Sequence, residues 1–181
     1  MDLLNNIWAF VNTPNEIFLN VILIMLNVLV EIPLTFHLII TIFKLNYTLK
    51  QKLIFIVIFS LSSLLSMFII PSPFNIILNY LVGLLLTFFV LKLSILKTII
   101  ASILPSIIFN VIGNLLLNPY LTILGITYEQ SITIPFYRVI FATLMYFIVF
   151  IFVLILKYRG ITFKALEDLD KKNKSTIILN F

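Results

Sequence analysis

Long runs of apolar residues, separated by short polar segments, account for most of the chain. Five of these runs approach or exceed the length of a membrane-crossing helix, since a hydrocarbon layer about 30 Å thick needs about 20 apolar residues in a helix. Transmembrane β-strands would require a strict alternation of apolar and polar residues, which is absent. The pattern therefore predicts an all-α, polytopic transmembrane helix bundle. Its five complete spans are expected at residues 16–43, 53–70, 74–91, 98–117 and 134–156.

The first apolar run is longer than one span requires. Residues 17–43 would extend about 40 Å as a continuous helix at about 1.5 Å per residue. A tilt, a kink or an end that emerges from the bilayer is therefore needed. Pro33 predicts the kink, because proline lacks a backbone donor and its ring crowds the preceding turn.

Basic residues are concentrated at one end of the predicted spans. Eleven of the twelve fall in three clusters, and Lys and Arg near span ends mark the cytoplasmic side. The sequence therefore predicts a multi-pass membrane protein with its N-terminus outside. The one sizeable outer loop, residues 118–133, carries no basic residue. The clusters are Lys44, Lys50 and Lys52; Lys92 and Lys97; and Lys157, Arg159, Lys164, Lys171, Lys172 and Lys174.

The chain changes character after the fifth run. Residues 1–156 form the predicted membrane domain, whereas residues 157–174 mix cations and carboxylates as a cytoplasmic juxtamembrane linker does. Residues 175–181 turn apolar again, but seven residues are too few to cross a bilayer. We expect them to be the start of a sixth span that the chain does not complete.

Composition and charge limit the class of protein. The chain is 62% hydrophobic and 10% charged, far from the roughly 45–50% and ~25% of soluble domains, so a water-soluble fold is excluded and the bilayer is the main partner. The formal charge of +5 lies beside apolar runs and does not indicate nucleic acid. The absence of cysteine excludes disulfides, thiol nucleophiles and thiolate metal sites.

Glu31 lies near the middle of the first span, where a charged group is costly. On a helical wheel it shares one polar stripe with Glu16, Asn20, Asn27 and Thr35. This stripe should face other helices. Glu31 is then either a buried ligand or proton site, or a neutral carboxylic acid that packs through a hydrogen bond.

The fourth span carries a second polar row, at every fourth residue. We favour an interpretation in which these side chains hold helices together, although ligand binding stays open. The row consists of Ser102, Ser106, Asn110, Asn114 and Asn118.

Arg138 is the one basic residue outside the three clusters. It lies about one turn into the fifth span from the outer side, next to Tyr137 and at the depth of Asn114. Arg138 either meets a carboxylate or carbonyl group of an external ligand, or reaches the outer headgroups or pairs with Glu129.

No residue pattern indicates catalysis or a metal. His37 stands alone without clustered carboxylates. Ser60, Ser62, Ser63 and Ser66 have no accompanying base and suit close helix packing. We expect no cofactor, no metal and no enzymatic activity in this chain.

Two stretches resemble a known family. LPSIIFNVIGNLLLNPYLTILGITYEQSITIPFYRVIF (104–141) and KALEDLDKKNKSTI (164–177) resemble the membrane sensor region of bacterial peptide-sensing histidine kinases of the accessory-gene-regulator C type, whose cytoplasmic half is a GHKL-type ATPase. The resemblance implies an input module of quorum-sensing two-component systems in a bacterial plasma membrane, which binds a secreted peptide and, in its full-length form, signals as a homodimer. The phospho-acceptor histidine and glycine-rich ATP motif of such kinases are absent from this sequence.

A binding site is expected between the outer halves of the first, fourth and fifth spans. An apolar extracellular peptide would bind there by moving from water to the apolar walls of the site, while polar groups fix its orientation. The alternative is a small transporter, or the membrane subunit of one, with Glu31 as a proton or substrate site. An intramembrane protease is the weakest alternative, because the chain has no cysteine and no paired catalytic carboxylates within its spans. The expected ligand-binding residues are Asn27, Glu31, Asn110, Asn114, Tyr137 and Arg138.

Overall fold

The computed structural model describes residues 16–69 and 74–160, which form helices joined by short turns, with no strand in these ranges. The expected all-α class is confirmed for this part of the chain. The first fifteen residues, most of the linker and the expected start of a sixth span lie outside the described residues. The elements are α1 (Glu16–Leu26), a π-helical turn (Asn27–Glu31), α2 (Ile32–Ile42), α3 (Leu49–Ile69), α4 (Phe74–Phe89), α5 (Ile95–Leu124), α6 (Tyr128–Thr133) and α7 (Pro135–Arg159).

Four helical segments of the described residues are long and apolar enough to cross a membrane, and the first of them combines most of α1 with the π turn and α2. α4 is apolar but has only 16 residues, about 24 Å of helix at 1.5 Å per residue. The structure thus supports a membrane protein, and the count of five spans stays a prediction. The four candidate spans are Val21–Ile42, Leu49–Ser66, Ile95–Leu124 and Pro135–Arg159.

The expected irregularity near Pro33 takes the form of a π-helical turn. The backbone N–H of Ile32 donates to the carbonyl of Asn27, five residues earlier. Pro33 follows directly and cannot donate to the carbonyl four residues before it, which its ring would also crowd. A wider turn accommodates the missing bond, and such turns often occur at functional sites.

The α5 helix is longer than the sequence indicated. It continues through Pro119 to Leu124 and ends at Gly125, which adopts a left-handed φ of 64° and donates to Leu121 and Thr122. α6 then begins with a capping box between Thr127 and Gln130. The expected loop at 118–133 is therefore largely helical, because these capping signals lie further along the chain than the end of the apolar run.

Two apolar clusters form the core, and α2 contributes to both. One face of α2 carries Leu38, which packs with residues of α5 and α7. The other carries Phe36, which packs with Phe55 of α3 and with residues of α4. α1, α5 and α6 also contact α7, and α3 contacts α4, which in turn contacts α5. Large apolar side chains such as Leu115 and Ile123 remain 71% and 81% exposed on the outside, as in a bundle surrounded by lipid.

The described basic residues of all three clusters lie at one end of this bundle, which we call the basic end. Gln51, in the first turn of α3, donates to the carbonyl of Val90 after α4, and the loop after α2 shares a cleft with the last turn of α7. The opposite end, where α6 lies, is called the α6 end. The assignment of the basic end to the cytoplasm stays a prediction.

Two lysines at the basic end have left-handed backbone conformations. Lys44 has a φ of 48° and Lys92 a φ of 55°. At the end of α2, Leu45 N–H donates to Ile40 O at 3.0 Å and Lys44 N–H to Thr41 O at 3.4 Å, the pattern of a Schellman cap. Glycine normally occupies such a position, and another L-residue costs about 1–2 kcal/mol there.

Candidate functional site

A cavity of about 970 Å³ lies between the helices of the bundle. Side chains from all the described helices and the π turn line it. Five of the six expected ligand-binding residues are among them: Asn27, Glu31, Asn110, Asn114 and Arg138. Tyr137 is not among the lining residues. Its carbonyl oxygen instead accepts a hydrogen bond of 2.6 Å from the hydroxyl of Tyr120, which joins α5 to the start of α7 at the α6 end of the bundle.

The two ends of the cavity differ. Toward the basic end it is bounded by Phe55, Thr87 and Ala101, which are 0–1% exposed. Toward the α6 end it is lined by Tyr128 and Ile132, whose side chains are 58% and 51% exposed. The cavity is therefore open toward the α6 end and closed toward the basic end.

Glu31 is held in a network that joins three helical segments. Its Oε2 accepts hydrogen bonds from Tyr146 OH at 2.5 Å and from Asn27 Nδ2 at 2.9 Å. Ser63 of α3 donates to Asn27 Oδ1 at 3.1 Å. Among the described residues Glu31 has no cationic partner, and its Oε1 accepts no hydrogen bond. One carboxyl oxygen thus fixes the π turn against α7, while the other is available to a ligand in the cavity.

The polar row of α5 faces the cavity instead of linking helices. Ser102, Ser106, Asn110 and Asn114 line it, whereas Asn118 does not. Ser102 donates to Ile99 O and Asn110 to Ser106 O, both within α5. Within the described ranges no hydrogen bond from this row reaches another helix. This differs from the packing role that the sequence favoured, since the row lies along an open space and bonds to its own backbone.

Arg138 lies in the first turn of α7, exposed at the open side of the cavity. It forms no ion pair with Glu129 or with any other residue in the described part of the chain. The N-terminus of a helix carries a partial positive charge, so a cation there is placed unfavourably unless an anionic group is nearby. The charge of Arg138 adds to the partial positive charge of this helix N-terminus, and together they give the mouth of the cavity a positive potential.

The network also contains residues that the sequence did not single out. Tyr146 is 8% exposed and bonds Glu31 across 115 positions of the chain, and Asn79 accepts a hydrogen bond from Ser66. A tyrosine hydroxyl in the middle of an apolar span needs a partner inside the bundle. The need of this tyrosine for a hydrogen-bond partner could be recognised from the sequence of the fifth span, but the sequence does not reveal which helix supplies that partner.

Comparison with known proteins gives no assignment. No protein-family model, curated protein or solved structure matches the chain. The resemblance to the accessory-gene-regulator C type therefore stays a hypothesis, and the function has to be argued from the cavity.

Among the described residues, no group of three or more His, Cys, Asp or Glu residues lies together. His37 lies away from the central cavity, at the basic end, where its Nε2 is 3.4 Å from Lys52 Nζ. The central cavity has two ionisable side chains, Glu31 and Arg138, on its wall.

Proposed function

We propose that the chain is an integral membrane input module, which binds an extracellular ligand in the central cavity and relays the event to a cytoplasmic partner. The observation that carries the proposal is the one-sided cavity, open at the α6 end and closed at the basic end. A site for an external ligand needs access from one side and a floor on the other. The proposal includes five spans, with the basic end in the cytoplasm of a bacterial cell.

The chemistry of the cavity favours a small amphipathic ligand. Sites of 300–1,000 Å³ with apolar walls and a few convergent polar groups are typical of drug-sized ligands. Arg138 at the mouth would meet a carboxylate or carbonyl, and Asn110, Asn114 and the free oxygen of Glu31 would bind polar groups further in. A short, mostly apolar secreted peptide has these properties, in agreement with the ligand that the family resemblance implies.

The relay would pass through α7. Tyr146 connects α7 to Glu31 on the cavity wall, and the same helix ends at the basic end, where the linker begins. A ligand that competes for Glu31 or Asn27 would change the contact between α7 and the π turn. Such a ligand shifts the equilibrium only if it binds one arrangement of α7 more tightly than the other. In full-length relatives the receiver would be a dimeric GHKL-type kinase.

The experiment is a thermal-stability screen of the full chain in detergent with a library of short apolar peptides. A peptide that raises the melting temperature is then titrated against Arg138→Gln and Asn114→Ala. Each variant removes one polar group from the cavity and should weaken binding about tenfold, as for one lost hydrogen bond to a charged group or to a buried polar partner. The matched control is Arg159→Gln, which removes the same charge at the basic end.

If Arg138→Gln and Asn114→Ala both bind the peptide as wild type does, the central cavity is not the site and the proposal fails. If Arg159→Gln weakens binding as strongly as Arg138→Gln, the effect is general electrostatics and the proposal also fails.

One observation favours a second candidate, a small transporter. Glu31 and Tyr146 share a short hydrogen bond inside the spans, and intramembrane carboxyl groups commonly belong to proton or substrate pathways. Reconstitution into proteoliposomes separates the two functions. Accumulation of the labelled peptide inside the vesicles, abolished by Glu31→Gln, would favour transport, whereas binding without accumulation favours an input module.

A further inference from the structure

A second cleft lies at the basic end, between α2 and α7, with a volume of about 410 Å³. Its polar lining comes from the end of α2, from the loop that follows and from the last turn of α7. This lining consists of His37, Thr41, Lys44, Tyr47 and Lys157. The cleft is separate from the central cavity, since the two share no lining residue.

The charge of this cleft is positive and uncompensated within the described residues. Lys44 and Lys157 line it, and Lys52 Nζ stands behind His37 at 3.4 Å from its Nε2. None of the described residues that line the cleft carries a carboxylate. Two helix C-termini, which carry partial negative charge, also end here, and the lysines outweigh that charge. An anionic group is therefore favoured at this position.

The remaining wall is apolar and continues away from the basic end. Val153 and Leu156 are buried in its floor, while Phe150 and Leu154 are each 47% exposed. From Lys157 to Phe150 this wall follows α7 for about 10 Å, at 1.5 Å per residue. A ligand that fits both the basic part and the apolar part of the cleft has an anionic group at one end and a hydrocarbon chain at the other.

Two lysines at the basic end share a left-handed backbone conformation. Lys44 occupies a left-handed position at which glycine would be less strained. Lys92 occupies a similar left-handed position at the same end but does not line the cleft. The two lysines therefore form a matched pair for experiment.

We propose that this cleft binds the phosphate headgroup of an anionic glycerophospholipid from the leaflet at the basic end, with one acyl chain along Phe150 and Leu154. The lysines bind the phosphodiester, and the hydroxyls of Thr41 and Tyr47 are available to its oxygens. The site is independent of the ligand in the central cavity. It would fix α7 against α2 at the point where the chain leaves the bundle.

The test compares Lys44→Gly with Lys92→Gly in the full chain, purified in detergent. Each variant removes one positive charge from the basic end and replaces a lysine in a strained left-handed backbone conformation by glycine, so both variants should fold. Dissociation constants are measured for phosphatidylglycerol by native mass spectrometry. One lysine near an anionic surface contributes a factor of about five in affinity. Lys44→Gly and Lys157→Gln should each weaken binding about fivefold, and Lys92→Gly should leave it unchanged.

Three outcomes would overturn the proposal. Equal weakening by Lys44→Gly and Lys92→Gly means that only the general charge of the end matters. Phosphatidylcholine binding as tightly as phosphatidylglycerol, or competition by inorganic phosphate at millimolar concentration, excludes an anionic lipid as the specific occupant.

Discussion

Tyr146→Phe removes one hydroxyl from the network around Glu31 and leaves the aromatic ring in place. The ring packs edge-on against Phe109 at a centroid distance of 6.0 Å, and phenylalanine keeps that contact without opening a cavity. What is lost is the 2.5 Å hydrogen bond to Glu31 Oε2. The substitution therefore isolates a single polar contact between α7 and the π turn.

The magnitude follows from the environment of the bond. Interhelical hydrogen bonds in membrane proteins contribute about 0.6 kcal/mol on average and about 1.7 at most. The Tyr146 bond is short and its donor is 8% exposed, so a value near the upper limit is expected. We predict that Tyr146→Phe lowers the free energy of unfolding by about 1–1.5 kcal/mol. Glu31→Gln keeps an acceptor oxygen and should cost less, about 0.5–1 kcal/mol.

The assay is reversible denaturation in mixed micelles, followed by helical circular dichroism, for both single variants and the double variant. Because the two groups are in contact, the double variant should lose less stability than the two single losses combined, by about 0.5–1 kcal/mol. Tyr80→Phe is the matched control. Tyr80 also lines the cavity but is 38% exposed, and its substitution should change stability by less than about 0.5 kcal/mol.

The reasoning is refuted if Tyr146→Phe is no more destabilising than Tyr80→Phe. That result would mean that the Tyr146 hydroxyl contributes no stabilising hydrogen bond.

Three further predictions concern the cavity and the topology. The chain has no cysteine, so single cysteines can be introduced and labelled. Asn114→Cys should react with a membrane-impermeant thiol reagent added from the outside, whereas Ala101→Cys, at a fully buried position, should not react. Equal labelling of the two variants would show that the cavity is not closed toward the basic end. Tyr120→Phe should lower the free energy of unfolding by about 1 kcal/mol through loss of the 2.6 Å bond to Tyr137 O, and an unchanged denaturation midpoint would contradict this. If α4 crosses the membrane, Ser72→Cys and Lys92→Cys should be labelled from opposite sides, and labelling from the same side would reduce the spans to four.

The sequence predicted the helical class and much of the cavity wall, because both depend on local periodicity. Asn27 and Glu31 recur at helical spacing, as do Asn110 and Asn114, and each pair lies on the wall of the same cavity. Periodicity identifies the polar face of a helix and leaves open what lies opposite that face. For this reason the row on α5 was expected to contact another helix, whereas it borders an open space.

Features that depend on neighbouring helices could not be predicted in the same way. The partner of Tyr146 is 115 positions away, and only the packing of α7 against the first span brings them together. The end of α5 was misjudged for a different reason. The apolar run ends at Leu117, and the expected loop was placed directly after it, but the helix continues to the glycine at position 125.

The π turn at Asn27–Glu31 affects how any future relative should be aligned with this chain. A π turn contains one residue more than the α-helical turn it replaces, and each helical residue rotates the side-chain direction by about 100°. The side chains of α2 are therefore rotated about the helix axis relative to the positions that a regular continuation of α1 would give them, although both helices belong to one span. A relative with a regular helix here would lack one residue, and an ungapped alignment would place every later position of α2 on the wrong face. The gap belongs between Leu26 and Ile32, and a relative that keeps the extra residue would be expected to keep the Asn27–Glu31 contact with it.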